Sequence, residues 1–115
     1  MAEITFRRTD EQAMLASTLR DLLGSSVDMD RTRELSLTTD AFDRGVWRTL
    51  GEVGLIGLHL PEAHGGAGSE FTDVAVVFEE TGRVVAAVPL LSTMMASSAI
   101  HLGGTDAQHS AWRPG

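Results

Sequence analysis

The side chains best placed to do chemistry stand in one short stretch of this 115-residue chain, His59 to Gly68, reading HLPEAHGGAG. A glycine-rich loop of this kind can cradle a phosphate, and a His-Glu-His group can hold a metal. Each reading fails on spacing. A G-x-G-x-x-G fingerprint begun at Gly66 needs a glycine where Phe71 stands, and one begun at Gly65 needs it at Ala67. A Walker-type loop needs a lysine, and all nine basic residues are arginine. His59, Glu62 and His64 are spaced His-x-x-Glu-x-His, not His-Glu-x-x-His, and Pro61 keeps one regular helix from presenting all three. His101 and His109 are separated by Gly103-Gly104 and offer no matching ligand pair. The stretch therefore reads as a turn, with no metal site.

Other candidates fare no better. Glu79 and Glu80 are adjacent on a helical segment, so they point about 100° apart and cannot flank one substrate. With Asp73 they read as the solvated face opposite Val74, Val77 and Phe78. Ser92, Ser97 and Ser98 lack a nucleophile elbow and suit close packing or a bond back to a carbonyl one turn earlier. No catalytic residue is assigned.

Composition bounds the remaining classes. With 43% apolar residues and 115 positions, the chain suits one globular domain. A net charge of −7 argues against nucleic acid and against an anionic membrane surface. No cysteine is present, which removes disulfides, thiolate catalysis and cysteine-zinc sites. The amino terminus lacks a signal-peptide apolar run and no stretch approaches a membrane span, so a soluble, cytoplasmic protein is expected.

The elements that position these residues read as helices. Thr9 with Gln12 has capping-box spacing before Leu15, Leu19, Leu22 and Leu23. Residues 27–38 are polar and read as a linker. Thr39 or Asp40 caps a second helix carrying Phe42, Val46, Leu50 and Val53 on one stripe beside Trp47, with Gly54 at its end. The run Leu55 to Pro61 reads as an extended segment over the core. Ser69 or Thr72 opens a third helix. Pro89 opens a fourth, PLLSTMMASSAIHLGG, apolar or small on nearly every side as a central buried helix would be. Thr105 with Gln108 starts a fifth, and Pro114-Gly115 break it. The fold class is all-α, a bundle of about five helices in a single domain spanning 1–115.

In their order, these segments resemble the N-terminal helical domain of flavin-dependent acyl-CoA dehydrogenases. The likeness rests on TDEQAMLASTLRDLL, the helix with Trp47, the GLIGL run at Gly54 to Leu58, the loop Pro61 to Gly68, Glu79 to Arg83, and HLGGTDAQHSAWRPG. His64 departs from the family, which usually has an aromatic residue there, most often tyrosine. The resemblance implies a role in α,β-dehydrogenation of acyl-CoA thioesters, with FAD as the cofactor of a full-length enzyme and not bound by this chain alone. It implies that the catalytic glutamate and most flavin contacts belong to a middle β-domain and a C-terminal helical domain, both absent here. This chain would be a fragment or truncated product, not competent alone, associating with those domains or with other subunits. It would wall one side of the acyl cavity through the fourth helix, with Val88, Leu91, Met94 and Met95 as pocket-lining candidates. Plain core packing remains an equal reading of those four side chains. A stand-alone helical interaction module is the alternative function.

Overall fold

The computed structural model describes residues 7–112, so the Pro114-Gly115 break lies outside the described residues. Among them are six α-helices, one 3₁₀ turn and no strand. The all-α expectation holds, with one helix more than the sequence suggested.

Helix α1, Asp10–Ser26, begins where local chemistry dictates. Thr9 Oγ1 accepts from the Gln12 N–H at 3.1 Å, and the Gln12 side chain accepts from the Thr9 N–H at 3.0 Å. Two orphan donors of the first turn are thereby satisfied. Ala16, Leu19 and Leu23 form its buried stripe. Helix α2, Met29–Ser36, occupies the segment expected to be a linker. It is polar because it buries only Leu35, and it is held by local bonds instead. Asp28 caps the Asp30 N–H at 3.0 Å, and Arg33–Asp30 and Arg31–Glu34 pair across one turn. Such a helix carries no apolar period for a sequence reading to find.

Helix α3, Arg44–Glu52, starts one residue after its cap Asp43, three residues later than Asp40. It buries Val46 and Leu50, while Val53 is exposed. The segment after it turns repeatedly instead of extending; Leu55 and Leu60 are buried from it. Helix α4, Phe71–Arg83, follows Glu70 as its N-cap and packs along α1. The Gln12 side chain also donates to Asp73 Oδ1 at 3.0 Å, which aligns the starts of α1 and α4. Helices α5, Leu90–Gly103, and α6, Asp106–Ala111, complete the chain, and α6 repeats the capping box with Thr105 and Gln108.

Leu19 and Leu23 of α1, Val46 and Leu50 of α3, Val74 and Val77 of α4, and Leu90 and Met94 of α5 meet in one cluster with Leu55. Full burial of each such side chain stabilises by roughly 1.5–3 kcal/mol before the entropy of ordering is set against it.

Glu80 corrects the solvated-face reading. Asp73 is half-buried and Glu79 is exposed, but Glu80 is 1% exposed within the α1/α4 contact. Its carboxylate accepts from Arg20 Nε at 3.0 Å, with Arg8 and Arg83 at 3.5 and 3.7 Å. The Arg20 hydrogen bond, aided by the charges of all three arginines, holds the carboxyl below its ordinary pKa against the opposing effect of burial. Arg8 also pairs with Glu79 at 2.7 Å, fastening the segment ahead of α1 onto α4.

Candidate functional site on the fifth helix

Helix α5 is apolar or small all round, yet only Leu90 and Met94 are buried. At 100° per residue its surface divides into three faces. Leu90 and Met94 meet the core. About a quarter-turn away, Leu91 (62% exposed), Met95 (65%) and Leu102 (83%) form an outward apolar stripe. On the remaining face Ser92, Thr93, Ala96, Ser97 and Ile100 line a cleft of about 620 Å³ against Trp47, Ile56 and Trp112.

The four candidates from the sequence are thus not brought to one surface. Met94 belongs to the core, and Val88 packs against that core from the connection before α5. Leu91 and Met95 stand together, one helical turn apart, facing outward. None of the four lines the cleft; Ser92, Ser97 and Trp47, which do, were read from the sequence as packing residues. The all-round apolarity of α5 was the available signal, but it does not say which face meets what.

The connection that sets α5 against α3 is strained. Val85 has φ +52°, a left-handed conformation that a β-branched residue resists. The Ala86 N–H bonds to Thr81 O at 3.0 Å, and Ala87 O accepts from the Asp43 N–H at 2.7 Å, tying the connection to the cap of α3.

The loop of residues 59–68 is a corner stacked under the far end of α5. Glu62–His64 form the 3₁₀ turn, and Gly65 closes it at φ +85°. Gly68 donates to Leu60 O at 2.8 Å and Gly66 donates to Pro61 O at 3.1 Å. His59, His64, His101 and His109 gather here, but no group of three potential ligands among the described residues has the geometry to hold a metal ion. The burial of His59, reinforced by neighbouring His101, holds its imidazole below its ordinary pKa.

Flavin binding requires donors for a pyrophosphate. The cleft lining contains no charged side chain, and the Leu91–Met95–Leu102 stripe is aliphatic. These surfaces bring no fixed positive charge to such a pyrophosphate. No helix of the described residues is long and apolar enough to cross a membrane.

The comparisons with known proteins agree with this architecture. The family model "Acyl-CoA dehydrogenase, N-terminal domain" matches residues 9–115. Acyl-CoA dehydrogenase IpdE2 of Mycobacterium tuberculosis is 36% identical over 92 residues, covering 79% of this chain and 29% of that protein. (2S)-Methylsuccinyl-CoA dehydrogenase of Cereibacter sphaeroides is 43% identical over 67 residues, covering 56% of this chain and 12% of that protein. Among solved structures, a variant of the Tcur3481-Tcur3483 steroid ACAD matches with a TM-score of 0.80 at 37% identity, over 88% of this chain and 28% of that one. The ChsE4-ChsE5 complex from Mycobacterium tuberculosis shares the fold, with a TM-score of 0.76 at 24% identity over 96% of this chain and 28% of that one.

The bundle with its Pro-Glu loop and apolar fifth helix is therefore an acyl-CoA dehydrogenase N-terminal domain. The chain belongs to that family, which favours the domain reading over a stand-alone interaction module. It spans under a third of the length of the curated relatives it matches first.

Proposed function

We propose that this chain supplies one wall of the acyl-binding cavity of an FAD-dependent acyl-CoA dehydrogenase, with Leu91 and Met95 facing the acyl group and Val88 and Met94 seating the wall on the core. The observation that carries the reading is the outward pair Leu91 and Met95 on a helix whose composition suits burial on every side. Exposed apolar stripes of this kind are ordinarily covered by another surface. The catalytic base and the flavin would be held by parts of the enzyme outside this chain, since the lining here offers no carboxylate and no cation. The far end of the stripe, at Leu102, would pack against those domains or against a second subunit. A bulky, ring-bearing acyl group is the favoured substrate class. The 37% identical solved relative is named a steroid ACAD, and small flexible or unbranched wall residues such as Met95 adapt to large shapes.

The test uses the enzyme carrying the remaining domains. Leu91→Trp should cut kcat/KM at least tenfold for the largest acyl-CoA accepted and by under threefold for a short one, a difference set by pocket volume. Equal losses on both, or none, would remove Leu91 from the wall. The 115-residue chain mixed with FAD and an acyl-CoA should leave the flavin absorbance unbleached. Bleaching would overturn the assignment of catalysis to other domains.

A further inference from the structure

All four histidines of the chain converge where α5 and α6 return over the loop at residues 59–68. The His64 ring stacks on His109 at 4.8 Å with an interplanar angle of 13°, and meets His101 edge-on at 6.4 Å. Ser98 Oγ lies 3.3 Å from His59 Nε2. The Nδ1 atoms of His59 and His101 are buried without a hydrogen-bond partner. Little else holds α6 down. None of its residues is buried, and its capping box with Thr105 and Gln108 is local. It carries Trp112 at its end, and Trp112 lines both the wide cleft and the narrow gap beneath the histidines.

We propose that the His64–His109 stack, backed by His101 and His59, is a proton-sensitive latch that holds α6 over the loop and sets Trp112 as a movable wall of the cleft. Neutral imidazoles stack favourably face to face. Two imidazolium ions at the same separation repel, and the buried Nδ1 atoms of His59 and His101 have nothing to donate to once protonated. The charged neighbours do not offset this. The loop contributes Glu62, α6 contributes Asp106, and α5 contributes no carboxylate; among the described residues neither acid pairs with an imidazole. When both stacked rings carry a proton the stack opens, α6 leaves the loop, and Trp112 swings out of the cleft. The latch does not depend on what occupies that cleft.

The test is NMR of the ¹⁵N-labelled 115-residue chain between about pH 8 and about pH 5, the range in which histidine titrates. The Trp112 indole N–H, assigned with the help of Trp47→Phe, should move in step with the His64 and His109 ring protons. Amide exchange in α6, corrected for its intrinsic pH dependence, should quicken about tenfold or more while α1 and α4 hold. His64→Phe with His109→Phe keeps stacked rings without charge and should abolish the response at unchanged helicity. His109→Phe alone should also keep the latch shut at acid pH, because a protonated His64 over a phenyl face is attractive. That single exposed-helix variant decides the matter if the double variant does not fold. An undiminished Trp112 response in H109F, or imidazoles that titrate while α6 stays put, would overturn the latch.

Discussion

Replacing Gly66 by alanine tests the loop more severely than any change at its left-handed glycines. A Cβ on Gly66 would lie 2.1 Å from the Leu60 carbonyl oxygen and 2.6 Å from the Gly57 carbonyl oxygen. Both obstacles are backbone, so no side chain can swing aside. Moving Leu60 O breaks the 2.8 Å bond from Gly68 and disturbs the 3.1 Å bond from Leu60 N–H to Gly57 O. Two net hydrogen bonds at about 1 kcal/mol each, plus partial exposure of buried Leu60 at about 1 kcal/mol, give a loss of about 2–4 kcal/mol. Gly65→Ala meets a different obstacle, the left-handed conformation at φ +85°, worth about 1–2 kcal/mol. Urea unfolding followed by far-UV circular dichroism at neutral pH measures both. Gly66→Ala should be the more destabilising, and a thermal melt of the same chains should show its Tm lower by about 10 °C or more for a domain of this size. A Gly66→Ala chain within about 0.5 kcal/mol of the parent, or less destabilised than Gly65→Ala, would refute the backbone-clash reasoning.

Two more perturbations probe the core and the strained connection. Glu80→Gln keeps the volume but removes the charge shared by three arginines; because those arginines are partly hydrated, the expected loss is about 1–3 kcal/mol by chemical denaturation at pH 7. Since the folded state lowers the Glu80 pKa, its contribution is complete above the unfolded carboxyl value of about 4.3 and fades as pH falls through the folded value. The parent and Glu80→Gln stabilities should therefore converge in acid, and a gap that widens there would reverse the assigned sign. Val85→Asn should stabilise by about 1 kcal/mol, read as a higher urea midpoint at unchanged slope, because asparagine tolerates the left-handed region and Val85 is largely exposed.

Much of the fold is written in local chemistry. The capping boxes at Thr9 and Thr105 and the apolar steps Leu19–Leu23 and Val46–Leu50 are readable because their partners lie within one or two turns. The order of these segments identifies the family, and the Pro-Glu loop reads correctly as a corner. Helix α2 escaped because it is stabilised by charges and a cap instead of an apolar stripe. Glu80 escaped because two adjacent glutamates differ only in the direction they face. That direction gains meaning when α1 brings Arg20 against α4, 60 residues away in sequence. Helix α5 is the sharpest case. Its uniform apolarity announces contact on many sides but leaves its rotation undetermined. Packing against α1, α3 and α4 selects Leu90 and Met94 for the core and turns Leu91 and Met95 outward. The histidines show the same division. Their spacing excludes a helical metal motif, while their convergence exists only because α5 and α6 double back over the loop. Sequence determines interactions that close over a few residues; tertiary structure decides those whose partners are fixed by how helices rotate and return.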